Sequence, residues 1–394
     1  MTSASYLVAA RRTPVGKLLG ALSTVPAPQL AAIAIRAALS DAGLAPDEVD
    51  EVILGQVLTA GVGQAPARQA ALAGGLPPQV GAITINKVCG SGLAAVMLAD
   101  RTLRAGDAQV VVAGGMENMS LAPYLLQGVR SGWKFGHQTL RDAMLHDGLW
   151  CAQEQAGMGS LADATARNQA VAREDQDAWT LESHRRAVAA WQAGSFAGEV
   201  APVRVVQGGR ETLVSQDEGP RADCSQQQLA RLKPAFGPDG TATAGNASQI
   251  SDGAAAVVVV SEAIARRLRT PWRFRIVASA TFAGPPAELF LAPIGAVRAV
   301  LQRAGLGIDE IDLVEINEAF ASQLLACQRA LEIDPRRLNV HGGAIALGHP
   351  IGASGARILT TLLHALVQRQ ARRGLATLCL GGGEAVAMVV ERDG

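Results

Sequence analysis

The sequence predicts a duplicated α/β protein, two halves of alternating strands and helices with a long segment inserted into the first. Three observations carry this. Residues 39–56 (LSDAGLAPDEVDEVILGQ) align without gaps onto residues 301–318 (LQRAGLGIDEIDLVEINE), and eight of the eighteen positions are identical. Ser91-Gly92 and Ser354-Gly355 stand at nearly the same offset, and each pair opens a helical pattern ending at a glycine, Gly106 or Gly374. After each glycine comes an apolar strand running into a glycine cluster, at 109–115 (QVVVAGG) and 376–383 (ATLCLGGG). Strands joined to helices by short connections make layered α/β architecture.

Residues 6–10 read as the first strand. In both aligned segments a helix ends at glycine, Gly43 or Gly305, and a strand follows. The second half turns directly from its glycine cluster into a strand at 385–390. In the first half the comparable strand, 254–260, arrives some 130 residues later. Residues 120–249 are therefore expected to be an insertion between two strands, with a helix over 160–191 and loops around Gly208-Gly209 and 234–245. The expected division is 1–119 with 250–268 as the first half, 120–249 as a lid over the ligand, and 269–394 as the second half.

With 35 basic and 35 acidic residues, the chain lacks the basic excess of a nucleic-acid or membrane-surface binder. Apolar runs such as 254–260 are too short to span a bilayer. Arg11-Arg12 follows a strand rather than a transit signal, and like Arg372-Arg373 is expected on a solvated surface. Five scattered cysteines with no CxxC pair indicate reduced thiols and no metal site, which makes the cytoplasm the expected location.

Cys89 stands directly before a helical pattern in NKVCGSG (86–92). A thiol there faces free backbone N–H groups and the positive end of the helix dipole, which favour thiolate. A buried structural cysteine reads the same in isolation. His349 lies in HGGAIALGHPIGASG (341–355), a loop too glycine-rich for a core element. The repeat places it opposite Asn86, so a pseudo-twofold brings both helix starts to one cleft, where an imidazole can take the thiol proton. The alternative is a histidine that bonds its own loop. Cys379 ends a strand that runs into Gly381-Gly382-Gly383, where ligands of α/β sheets gather. Asn317, in NEAFA (317–321) after the strand 311–316, either donates to an oxyanion or, with Glu318, caps the helix 319–331. Cys151, Cys224 and Cys327 carry no such setting. Only eleven residues follow Gly383, too few for a dinucleotide fold, and neither GxxxxGK[ST] nor HExxH occurs.

Six segments together resemble one family closely: NKVCGSGL (86–93), AGGMENMS (113–120), TAGNASQISDGAA (243–255), NEAFA (317–321), GGAIALGHPIGASGAR (342–357) and CLGGGEAVA (379–387). The chain resembles the thiolases, specifically the acetyl-CoA acetyltransferase branch, over nearly its whole length. The resemblance implies two halves layered α-β-α-β-α. It implies that Cys89 is acylated, that His349 activates it, and that Cys379 exchanges the proton at C2 of the second acetyl-CoA. One oxyanion pocket is implied from His349 with a water held by Asn317, the other from the N–H groups of Cys89 and Gly381. Ser248 is implied at the pantetheine arm. Met158, Leu149 and Phe320 are implied along the acyl and pantetheine channel, and Arg221 near the CoA nucleotide. The substrates implied are acetyl-CoA and 3-ketoacyl-CoA thioesters, with no further cofactor, in a homotetramer built around 133–136.

The chain departs from the family pattern at Gly157, where short-chain members have histidine, at His341 in place of asparagine, and at Glu384 in place of Met or Gln. The first leaves a degradative thiolase of broader chain length as the alternative. A weakly active acyl-CoA-binding relative is a third reading, opposed by the intact Cys–His–Cys set.

Overall fold

The computed structural model describes residues 4–393. Nine strands form one hydrogen-bonded path: β1 (Ser5–Arg12), β2 (Glu51–Gly55), β3 (Gly81–Ile85), β4 (Val110–Asn118), β5 (Ser251–Ser261), β6 (Phe274–Ala283), β7 (Leu313–Ile316), β8 (Arg373–Leu380) and β9 (Glu384–Arg392). Their order is β7-β8-β9-β6-β1-β5-β4-β2-β3, and a short strand, Gly16–Lys17, adds to β5.

The duplication is visible in this order. The first half reads β2-β4-β5-β1 and the second β7-β8-β9-β6, each with its first pair parallel and the rest antiparallel. Where β3 extends the first half, a parallel bridge from Val314 to Leu338 does so in the second. Both halves carry a register shift at the same place, between Leu7 and Ala9 and between Ile276 and Ala278. They join where Tyr6 pairs Arg275 and Leu7 pairs Phe274.

Helices complete the layers: α1 (Ala27–Ala42), α2 (Pro66–Ala73), α3 (Ser91–Ala105), α4 (Met158–Asn168), α5 (Arg173–Gln192), α6 (Ala292–Ala304), α7 (Ala321–Ala330) and α8 (Ser354–Gln368). Strand side chains alternate between faces, and here both faces are covered. Val110, Val112, Val258 and Val260 pack with Leu30 and Ile35 of α1. Val111, Val257 and Val259 pack inward on Leu93 and Val96 of α3 and Ile358 and Leu362 of α8, joined from the second half by Leu378, Val386 and Met388. Leu375, Ala387 and Val389 face outward onto Val297 and Val300 of α6 and Leu324 of α7. The layers therefore run α-β-α-β-α, with α3 and α8 in the middle. Each fully buried Val or Leu contributes about 1.5–3 kcal/mol.

The two middle helices cross at their glycines. A Cβ on Gly92 would lie 2.7 Å from the Ala356 amide nitrogen, and one on Gly355 would lie 2.3 Å from that of Leu93. The repeated Ser-Gly pair thus marks the point where the two helix starts touch.

The segment between β4 and β5 departs from the expected single helix over 160–191. Residues 160–191 fall in two helices, α4 and α5, broken where Ala170 takes a left-handed φ of 48° and Val171 N–H closes on Ala166 O at 2.9 Å. Arg12 is a correction. It is fully buried, not solvated, because Nε meets Glu199 at 2.5 Å and Nη1 meets Asp217 at 2.7 Å, both from the inserted segment. Arg11 pairs with Asp41 nearer the surface. Among the described residues, no helix is long and apolar enough to cross a membrane.

Candidate active site

Cys89 is presented by a tight turn between β3 and α3. Asn86 Oδ1 accepts the Val88 N–H at 2.9 Å, Val88 takes a left-handed φ of 46°, and Ser91 Oγ accepts the Lys87 N–H at 2.8 Å while donating to Val88 O. The strained turn leaves the sulfur of half-buried Cys89 turned inward at the start of α3, with its own N–H and that of Gly381 as the donors that favour thiolate. The electrostatic expectation needs correcting. Those two donors lower the thiol's pKa, but burial outweighs them and pushes it up to about 12. The resting group is a thiol.

His349 follows Gly348, whose φ of 109° and 2.4 Å Cβ clearance to Ser251 Oγ exclude a side chain. The histidine N–H donates to Gln249 O at 3.0 Å. Its ring Nδ1 lies 2.6 Å from Ser354 Oγ, and that hydroxyl donates to Pro350 O at 2.9 Å. Ser354 has one hydrogen to give, so we assign the ring hydrogen to Nδ1, which leaves Nε2 as the basic nitrogen. The repeat explains why the serine is available. Its counterpart Ser91 receives the Lys87 N–H, whereas the position matching Lys87 is Pro350, which has no N–H to offer. Burial, with Arg357 second, lowers the imidazole's pKa to about 3, so the ring is neutral at rest.

Asn317 Nδ2 approaches the His349 ring at 3.4 Å, while its buried Oδ1 has no protein partner. It does not cap α7. Glu318 does not either. Its carboxylate accepts from Trp179 Nε1, Ser183 Oγ, Asn339 Nδ2 and the Ile345 N–H, tying α5 to the loops of the second half.

Cys379 ends β8, buried among Cys151, Leu161, Phe290 and Phe320, with Met158 against the same cluster. Burial, then the nearby Cys89, raises its pKa well above the ordinary value. Gly381 comes two residues later. The loop after Cys379 thus lies beside the Cys89 turn, and the two thiols are near enough for Cys89 to act on Cys379. Leu149 and Cys89 pack against Val57, Leu58, Met119 and Ile351. Ser248 N–H bonds to Ala319 O at 2.9 Å beside the Ala247–Phe320 bridge. Arg221 is exposed, with its N–H on His184 Nδ1 at 3.2 Å. Gly157 caps α4, and a Cβ there would meet nothing within 4 Å. His341 is buried edge-on to Phe196.

Sequence reasoning missed Ser354 as the partner of His349, although the repeat had marked it as the match of Ser91. It also missed Glu117, a buried carboxylate that accepts from the N–H groups of Val57, Leu58 and Gly352 and so fixes the loop after His349. Burial pushes its pKa up to about 7. Among the described residues, no group of three or more His, Cys, Asp or Glu is placed to hold a metal ion.

The duplicated α/β halves define a class, and comparison with known proteins agrees. Residues 5–263 match the family described as thiolase, N-terminal domain, and residues 270–392 match thiolase, C-terminal domain. The chain belongs to the thiolase family. It is 52% identical to the acetyl-CoA acetyltransferase of Pseudomonas aeruginosa, over 98% of this chain and 99% of that one. It is 50% identical to an acetyl-CoA acetyltransferase of Escherichia coli, over 98% of each. The crystal structure of the Bacillus anthracis acetyl-CoA acetyltransferase superposes with a TM-score of 0.97 at 39% identity, covering 100% of this chain and 99% of that one.

Proposed function

We propose that this thiolase catalyses the reversible Claisen condensation of two acetyl-CoA to acetoacetyl-CoA and CoA through an acyl-enzyme on Cys89. The observation that carries the reading is the convergence on the Cys89 sulfur of its own N–H and that of Gly381, on the loop that follows β8, the strand carrying Cys379. As the sulfur attacks the thioester carbonyl, its proton passes to His349 Nε2, the nitrogen left free by the Nδ1–Ser354 bond. The departing CoA thiolate takes its proton from the Cys379 thiol, which leaves Cys379 as the thiolate while His349 keeps the proton of Cys89. Cys379, as thiolate, then removes a proton from C2 of the second acetyl-CoA. The enolate oxygen is held by His349 and a water on Asn317, whose Oδ1 is free to anchor one. Attack of the carbanion on the acetyl group of Cys89 forms the new carbon–carbon bond. The N–H groups of Cys89 and Gly381 stabilise the resulting oxyanion until the Cys89 sulfur leaves and recovers its proton from His349.

In this reading residues 120–249 cover the CoA arm, between halves formed by 1–119 with 250–268 and by 269–394. Ser248, Met158, Leu149 and Phe320 line its path, and Arg221 meets the nucleotide end. No cofactor beyond the CoA thioesters is invoked, and the site is cytoplasmic. Trp133 and fully exposed Phe135 would be covered in a tetramer, and mass photometry showing only dimers would overturn that assembly.

Incubation with acetoacetyl-CoA should add an acetyl mass to the wild type and none to Cys89→Ala; an unchanged shift in the variant removes Cys89 from the role. The open space at Gly157 favours a second reading, a degradative thiolase of broader chain length. Kinetics on 3-ketoacyl-CoAs of increasing length decide between them.

A further inference from the structure

The two N–H groups that reach the Cys89 sulfur come from different halves of the chain, on loops that no strand pairing joins directly. The Gly381 loop is the turn of the β8–β9 hairpin, tied on its far side where Gly383 O accepts the Gly284 N–H at 2.8 Å, away from the Cys89 turn. Gly382 and Gly383 both take left-handed φ values, 89° and 90°, and present no side chains. Contact with the Cys89 turn is close, since a Cβ on Gly90 would lie 2.3 Å from Leu380 Cδ2 and one on Gly381 would lie 3.2 Å from Val88 Cγ1. These contacts resist compression but do not stop the loops from parting.

Among the described residues, one side-chain ion pair spans the gap. Lys87, two residues before Cys89, pairs its ammonium with the carboxylate of Glu384, the residue that follows the three glycines. Each end is anchored at its backbone. The Lys87 N–H is held by Ser91 Oγ, and Glu384 is in register with Leu380 on β8 and with Ala283 on β6. The side chains are 29% and 35% exposed, so the pair is partly shielded from water but not part of the core.

The geometry points to the Lys87–Glu384 pair as a clamp that sets the separation of the Cys89 and Gly381 N–H donors, with both side chains as positioning residues for the transition-state oxyanion. This rests on the thiolase reading above. Donor spacing matters where charge develops on the substrate oxygen, so the clamp acts on kcat and leaves ground-state binding alone.

The test is steady-state thiolysis of acetoacetyl-CoA by Glu384→Gln, Lys87→Met, the double variant, and the exchange Lys87→Glu/Glu384→Lys. Each single variant should lose about tenfold in kcat with KM within about twofold, because the donors are displaced rather than removed. The double variant should lose the same tenfold, and the exchange should recover to within about threefold of wild type. Overturning results are single variants at wild-type kcat, losses that multiply in the double variant, losses confined to KM, or an exchange no better than the singles. An inactive wild type would defeat the functional reading. An active wild type with unaffected variants would defeat only the clamp.

Discussion

Gly355→Ala tests whether the crossing of α3 and α8 sets the catalytic geometry. The new methyl carbon would lie 2.3 Å from the Leu93 nitrogen and 2.8 Å from Leu93 Cβ, while ordinary contact begins at 3.4 Å. The obstacle is backbone, so no rotamer change relieves it, and the helices must separate by about 1 Å, the difference between those distances. Overpacking of this kind costs about 1–3 kcal/mol. The functional cost is larger, because the helix starts that move apart carry Cys89 and His349. A misplacement of about 1 Å between reacting groups lowers the rate about 100-fold. The expected outcome is a modest loss in urea-unfolding free energy with a roughly hundredfold fall in the single-turnover rate of Cys89 acylation. An alanine variant as stable and as fast as wild type would show that the glycine contact does not hold the site together. Loss of stability with normal acylation would separate the fold from the chemistry and refute the link.

Ser354→Ala leaves the His349 Nδ1–H without its buried acceptor, which costs about 1–3 kcal/mol and frees the ring to adopt the wrong tautomer. Acylation should slow by about 10- to 100-fold with substrate affinity retained, and wild-type acylation in this variant would refute the tautomer assignment. Glu117→Gln isolates one titration. Burial raises the folded carboxyl to about 7 from an ordinary 4.5. The folded state therefore holds the proton more tightly, so this group's contribution is present below pH 4.5 and lost as the pH rises to 7. Relative to the variant, wild-type unfolding free energy should fall by about 3 kcal/mol across that window, read from urea melts at stepped pH; a flat difference contradicts it. Arg12→Met strands the buried carboxylates of Glu199 and Asp217 and should cost about 3–5 kcal/mol, with faster proteolysis within 199–217. A melt unchanged from wild type would mean that the triad contributes nothing net.

Much of the fold was legible in the sequence because the duplication is written locally. The segments around Gly43 and Gly305 carry the same caps and strand alternation, and β2 and β7 lie where that alignment placed them. Cys89, His349 and Cys379 stood out in the sequence for a related reason. Each sits in or just before a glycine-rich turn, a setting that marks close backbone approach even before the partner is known. The break between α4 and α5 was not legible, because a left-handed alanine at position 170 leaves no compositional trace.

By itself, then, the sequence determined the order of elements, the two copies and the residue types at the turn positions, since these follow from periodicity and backbone propensity within short windows. The tertiary structure alone decided what depends on partners far along the chain. It took Arg12 out of water by setting Glu199 and Asp217 around it, and it matched Ser354 to the nitrogen of His349 that must carry a hydrogen. It also reversed the expected charge of Cys89, because the penalty for burying a thiolate exceeds what two N–H groups return. Desolvation is a property of everything packed around a group, and no local stretch of chain encodes it.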